Sequence, residues 1–185
     1  LYQRPELLQR GEMQGDAALR TQIAEYLSVY RGVECTPEQI VITTGAQAGL
    51  DLLARILLDP GETAWVEEPG YYGAQAAFLA AGARLAPLFV DSHGWTLDPP
   101  AGAAPRVIYV TPSCHHPLGA TMRMEQRLRL LDVADRLDSW IIEDDFDGEY
   151  RFQGQPIPAM QGADRSDRVI YFGSFAKILF PALRL

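Results

Sequence analysis

One residue of this 185-residue chain stands apart by type: Lys177 is the only lysine, and every other basic residue is arginine. A guanidinium is delocalised and stays protonated, whereas a lysine amine, once deprotonated, condenses with an aldehyde to form an imine. A chain that favours arginine can replace surface lysines freely, but not one that makes a covalent bond. By composition alone a solvated lysine is the simpler explanation. The residues that accompany Lys177 change the weighting.

The stretch EDDFD crowds Glu143, Asp144, Asp145 and Asp147 together. A carboxylate at the carboxyl end of a strand pairs with the ring nitrogen of a pyridine cofactor and keeps it protonated, so that the ring absorbs electrons from a carbanion. Acids this close raise one another's pKa unless a cation or donor sits among them. Alone, such a run reads as a solvated turn. TTGAQ puts Gly45 between a strand and a helix, where the free N–H groups of Ala46 and Gln47 face an anion. Ser174 adds a hydroxyl just before Lys177, and Arg184 beyond it adds a bidentate fork for phosphate. Tyr71, after EEPG, has a ring suited to lie on a planar cofactor, or equally to fill the space between sheet and helix. His116 in CHHP is a hydrogen-bonding candidate; His115 beside it is expected to be exposed. The chain has three histidines, and none has a carboxylate or cysteine at ligand spacing, which argues against a catalytic metal.

These residues need elements to position them. Asp16 caps a helix whose apolar stripe is Leu19, Ile23 and Leu27, closed by Gly32. TPEQ (36–39) has the layout of a capping box with proline at the first helical position. IVITT (40–44) reads as a short buried strand. Helices are predicted over 46–58, 71–82 and 124–138, the last with Leu128, Leu131 and Ala134 on one side. Strands are predicted over 64–69, 83–90, 106–112, 140–145 and 167–175. The proline- and glycine-rich stretch 91–105 reads as a loop. Strands alternating with helices mean a parallel sheet with helices on both faces. Ligands of such sheets bind beyond the carboxyl ends of the strands, where all the residues singled out above fall.

The totals agree with one globular α/β unit. Apolar residues make up 48% and charged residues 22%, and the net charge is −8. The basic residues are scattered, against the concentrated basic face that a nucleic-acid backbone requires. Two distant cysteines, Cys35 and Cys114, suggest neither a disulfide framework nor a zinc site, and fit a reducing compartment such as the cytoplasm. No apolar run is long enough to span a bilayer, and no secretory signal opens the chain. It begins without methionine and stops inside the apolar stretch FPALRL, so it is expected to be an internal piece of a longer protein.

The order GAQ, then PGY, then xPxG, then a strand ending in Asp, then SxxK with a downstream Arg resembles the fold-type I pyridoxal-phosphate enzymes, the aspartate aminotransferase superfamily. The resemblance runs from GEMQGDAALRTQIAEYL to the end. VTPSCHHPLGATM, IIEDDFDGEYRFQGQPIPAMQG and RVIYFGSFAKILFPALRL are similar to the aminotransferase-like domain of MocR-type regulators of the GntR family. Those proteins join a winged helix-turn-helix DNA-binding domain to this domain through a linker.

The resemblance implies an aspartate aminotransferase-like large domain over residues 1–185, with the DNA-binding domain and the small domain outside the chain. It implies pyridoxal 5'-phosphate held as a Schiff base on Lys177, with Asp144 (Asp145 being its close neighbour) at the pyridine nitrogen and Tyr71 stacked on the ring. Gly45, Ala46, Gln47, Ser174 and Arg184 would hold the phosphate. Three positions depart from the family. His116 replaces an asparagine that bonds the cofactor's phenolic oxygen. Phe146 replaces a tyrosine usual in the regulators, and Arg10 stands where a tyrosine often serves the partner subunit's phosphate. Fewer donors around the phenolate imply an altered imine pKa. The expected function is a regulator's sensor domain, with an amino compound or the cofactor itself as effector and DNA bound only through a domain elsewhere. A homodimer is implied. The alternatives are a working aminotransferase and a remnant that no longer binds cofactor.

Overall fold

The computed structural model describes residues 11–98, 104–150 and 157–183. Its centre is a six-stranded sheet of β1 (Thr63–Glu68), β2 (Arg84–Asp91), β3 (Gly94–Trp95), β4 (Val107–Val110), β5 (Trp140–Asp144) and β6 (Val169–Phe172), in the order β3-β2-β1-β4-β5-β6. All pairings are parallel except that of β2 with β3. The predicted loop over 91–105 therefore hides a short hairpin, Val90 facing Trp95 and Asp91 facing Gly94. Two-residue strands leave too little alternation to read.

The α-helices are α1 (Ala17–Arg31), α2 (Ala46–Leu57), α3 (Tyr72–Ala80) and α4 (Met124–Leu137). Side chains alternate across a strand, and here the two faces bury different partners. Trp65, Ile108, Val110 and Ile141 pack with Leu130, Val133 and Ala134 of α4 on one face. Ala64, Val66, Val107, Tyr109 and Ile142 pack with Leu50 and Ala54 of α2 and Ala74, Ala77 and Phe78 of α3 on the other. The chain is thus α/β with helices on both faces, as its alternation predicts. Among the described residues no helix is long and apolar enough to cross a membrane.

Local signals were accurate at helix ends. The Asp16 carboxylate accepts from Leu19 N at 2.9 Å, and Gly32 closes α1 at φ 67°. TPEQ forms a 3-10 turn, Pro37–Gln39, with Gln39 Oε1 accepting from Thr36 N at 2.8 Å. Two stripes need correction. Ile23 and Ala134 are buried as expected and Leu27 and Leu131 partly so, but Leu19 and Leu128 are exposed; α1 also buries Arg20, Ala24 and Arg31, and α4 also buries Arg127, Leu130 and Val133. In each helix an arginine occupies an inward position. Arg127 does so because its guanidinium meets the carbonyls of Met122, Pro112 and Pro158, at 3.1, 3.1 and 2.8 Å. Apolar periodicity alone cannot see such a position.

IVITT is not a strand. Its residues are irregular, and Val41 is exposed. β-branched residues favour a strand only where a neighbouring strand offers backbone partners. Ile40–Thr43 instead flank a cavity of about 420 Å³ whose far wall includes Val169–Phe172 of β6, itself paired only with β5 among the described residues.

Candidate functional site

The strand order reverses at β1, which pairs with β2 on one side and β4 on the other. A crevice forms beyond the carboxyl ends at such a point. The turn after β1 delivers Tyr71, and the loop after β4 delivers His116. Their ring centroids lie 6.2 Å apart, edge to face. Gly70 makes the turn possible, since a Cβ there would collide with the Glu67 carbonyl. The Tyr71 ring is half-buried and packs partly against the α2–α3 core, so it has both a core side and a crevice side. His116 is exposed.

Gly45 precedes α2 at φ 94°, in the left-handed region that glycine favours. Gln47 Nε2 donates to the Gly73 carbonyl at 3.0 Å and ties α2 to the start of α3. At Gly49 a Cβ would overlap the Phe172 ring, so glycine is what lets α2 approach the end of β6. That approach brings Gly45 and Ser174 to one cavity wall. Ser174 Oγ accepts from Ala176 N at 3.3 Å. Arg184 and Arg10 lie outside the described residues.

The acids divide into different environments. Glu143 is buried, with its carboxylate accepting from Met160 N at 2.7 Å and Gln161 N at 3.0 Å and facing Arg127 Nη1 at 3.5 Å; burial pushes it up to about 7. Asp145 Oδ2 takes Arg31 Nε at 2.6 Å and the Tyr171 hydroxyl at 2.7 Å. Among the described residues, the one side chain that donates to Asp144 is Tyr109, its hydroxyl 2.6 Å from Oδ2; burial pushes the Asp144 pKa up to about 6, and the Lys177 charge pulls it partly back. Asp145 is therefore spent on a structural pair, whereas Asp144 has no cation in salt-bridge contact among the described residues.

Lys177 Nζ pairs with Asp147 Oδ1 at 3.1 Å and sits 4.0 Å from the centre of the Phe146 ring. The side chain is half-exposed. Sequence reading treats Phe146 as a lost hydroxyl; in the fold it is an aromatic seat for the amine. The Tyr150 hydroxyl donates to the Lys177 carbonyl at 2.8 Å and steadies the turn. Nothing in the spacing of Tyr150 foretold this.

His115 corrects an expectation: it is buried, not exposed. Its N–H and C=O close the turn to Ala120 and Gly119 at 2.8 and 2.7 Å, and its ring stands edge to face with Trp95 at 5.4 Å. Burial lowers its pKa. Among the described residues no group of three His, Cys, Asp or Glu could hold a metal ion.

Glu67, which sequence reading passed over, is also buried. It accepts from Trp95 Nε1 at 2.6 Å, Thr111 N at 2.9 Å and Thr111 Oγ1 at 2.6 Å, and faces His115 Nε2 at 3.7 Å. Burial pushes its pKa up to about 7, with the Asp144 charge adding to the rise. The folded carboxyl holds its proton more tightly than the unfolded one. Its contribution to stability is complete below about 4.5 and is lost as pH rises through about 7. Glu67→Gln stays neutral throughout, so relative to wild type it should gain up to about 3 kcal/mol between pH 5 and pH 8. Urea unfolding midpoints at the two pH values measure this; equal differences at both would refute it.

A buried acid with no ion-pair partner among the described residues, a half-exposed amine whose charge that acid feels, an aromatic ring at the crevice and a glycine-led helix start suit one ligand type. It is planar, cationic on one edge and anionic at a tail, with a group that the amine can attack. Comparison with known proteins points the same way. Residues 2–183 match the model of the aminotransferase class I and II family. The chain is 58% identical over 171 residues to the "Probable rhizopine catabolism regulatory protein MocR" of Rhizobium meliloti, covering 92% of this chain and 35% of that protein. It is 32% identical over 189 residues to aromatic-amino-acid aminotransferase 1 of Thermococcus litoralis, covering 97% and 45%. An archaeal alanine:glyoxylate aminotransferase structure superposes with a TM-score of 0.92 at 34% identity, over 99% of this chain and 47% of that one. The chain thus spans less than half the length of these relatives.

Proposed function

The chain belongs to the aminotransferase class I and II family, and on that premise we propose that it is the pyridoxal-phosphate-binding sensor domain of a MocR-type transcriptional regulator, with the cofactor held on Lys177. The observation that carries the cofactor reading is Asp144, a buried carboxyl whose pKa burial raises and which lies in the field of the Lys177 amine. A protonated pyridine nitrogen is the cation that this acid lacks. Solved relatives support the same cofactor: one kynurenine aminotransferase structure contains PMP, and one α-aminoadipate aminotransferase structure contains a phosphopyridoxyl-leucine.

The residues present fit the group. Asp144 would keep a proton at the ring nitrogen, and Tyr109 holds the acid in place from behind. Tyr71 would cover one face of the ring, and His116 would approach its oxygen-bearing edge. Gly45, Ala46 and Gln47 at the start of α2, with Ser174, would receive the phosphate, joined by Arg184. Lys177 would leave Asp147 and attach through its ε-amino group, while Phe146 shields that amine from water on one side. Bound there, pyridoxal phosphate supplies an aldehyde to amines and an electron-accepting ring.

The regulator reading rests on the match to MocR of Rhizobium meliloti and on further matches, at 42% and 40% identity, to transcriptional regulators YdeL of Bacillus subtilis and TauR of Rhodobacter capsulatus. In that reading DNA is bound by a separate domain, an amino compound or the cofactor itself is the effector, and the protein is a cytoplasmic homodimer. The high TM-score to an aminotransferase favours a second reading, catalytic transamination by the same residues, with Lys177 moving protons. One experiment separates the two. The full-length protein is loaded with pyridoxal phosphate and given a panel of amino acids with a keto-acid acceptor. The sensor reading expects a changed absorption spectrum and changed affinity for its own promoter DNA, with no net keto-acid exchange. Steady turnover without any effect on DNA would overturn it.

A further inference from the structure

The buried Glu67 network is larger than packing requires. A carboxylate removed from water is costly unless donors converge on it, and here the donors come from β3 and from the end of β4, two strands on opposite sides of β1 in the sheet. Trp95 Nε1 of β3 and the N–H of Thr111 after β4 both point at Oε1, while the Thr111 hydroxyl donates to Oε2. That hydroxyl also accepts from His116 N, at 3.4 Å. A relay therefore runs from Glu67 through Thr111 to the backbone of His116. The same Glu67 sits at the base of the turn whose Gly70 passes over the Glu67 carbonyl and delivers Tyr71. Glu67 thus lies next to both segments that deliver the His116–Tyr71 pair.

We propose that Glu67 is a positioning residue: acting through Thr111, its carboxylate fixes the backbone of His116 and thereby the His116–Tyr71 pair at the mouth of the cofactor crevice. The direction of the relay follows from the chemistry. Above about pH 7 the Glu67 carboxylate is ionised and only accepts, so it turns the Thr111 hydroxyl's proton toward itself and leaves a lone pair for the His116 N–H. Hydrogen bonds in such a chain polarise one another. Glutamine at 67 presents an NH₂ to Thr111, reverses that polarity and weakens the hold on His116. Valine at 111 removes the middle member while keeping the branched shape; serine there retains it. The role for the crevice rests on the cofactor reading above, whereas the hold on the loop does not.

The test uses the full-length protein in two arms. Without cofactor, hydrogen–deuterium exchange is followed for the peptide spanning 113–119, with a peptide from α4 as the folding control. Thr111→Val and Glu67→Gln should exchange about tenfold faster there, the worth of one lost hydrogen bond, and Thr111→Ser should match wild type. Unchanged protection in both Thr111→Val and Glu67→Gln, with α4 intact, would overturn the relay. With pyridoxal phosphate bound, Thr111→Val should release cofactor about tenfold more readily than wild type or Thr111→Ser. A loosened loop with unchanged retention would remove the crevice from the proposal. Should wild type take up no cofactor, the cofactor reading fails, and the exchange arm still decides whether Glu67 holds the loop.

Discussion

Lys177→Ala should abolish covalent capture of pyridoxal phosphate. Wild-type protein mixed with the cofactor should gain an absorption band near the visible and, after borohydride reduction, the mass of one cofactor per chain. The alanine variant should show neither on the peptide spanning residue 177, which holds the one lysine of these 185 residues. Lys177→Arg is the sharper control. It keeps a cation to pair with Asp147 and to lie over Phe146, the two contacts that hold Nζ at 3.1 Å and 4.0 Å, yet it has no amine able to condense with an aldehyde. Loss of the adduct in both variants, with folding intact, assigns covalent capture to Lys177. A reduced adduct of wild-type mass in either variant would end the cofactor assignment, and protein that stays colourless in wild type would favour a remnant. Non-covalent retention is a separate quantity, since the proposed phosphate and ring contacts remain in place.

The second large effect concerns stability. Arg31, at the end of α1, ties two segments together with one fork: Asp145 Oδ2 at 2.6 Å and the Gly148 carbonyl at 3.1 Å in the turn after β5, and Ser113 Oγ at 3.0 Å in the loop after β4. Its side chain and that of Asp145 are 3% and 0% exposed, so water cannot replace either partner. Arg31→Ala strands a buried carboxylate, and breaking a pair of this kind costs about 3–5 kcal/mol. In a chain of this size, about 2–4 °C of melting temperature is lost per kcal/mol, so a fall on the order of 10 °C is expected by calorimetry. The cause is testable by coupling. Adding Asp145→Asn to Arg31→Ala removes the stranded charge and should recover a substantial part of the loss, whereas independent sites would simply add. A cost below about 1 kcal/mol for Arg31→Ala would mean that Asp145 finds another partner or loses its charge.

Both expectations bear on how the acids beside Lys177 are told apart. EDDFD announces a carboxylate at a strand end, and the resemblance prefers Asp144, but four acids in five residues look alike as a string. The fold separates them through partners brought from far along the chain. Arg31 arrives from 114 positions away to engage Asp145, and Tyr109 from 35 positions away to meet Asp144. Arg127 occupies a core position that reads as the polar side of a helix, because carbonyls from two loops satisfy it. His115 looks like a loop histidine beside His116, yet its own turn folds it under Trp95 and against Glu67.

The sequence by itself determined the α/β class, the helix caps and five of the six strands, since each depends on residue type and on spacing within a few turns of chain. It misplaced IVITT, which has the composition of a strand but, among the described residues, only the Gln14 carbonyl for Ile42 N and no strand to pair with, and it overlooked β3. Tertiary structure alone decided that Asp145 pairs with Arg31 while Asp144 meets Tyr109, and it alone brought Trp95 and Thr111 onto the buried Glu67. The reason is physical: burial and charge pairing depend on which groups converge in space, and convergence over a hundred residues leaves no trace in local pattern.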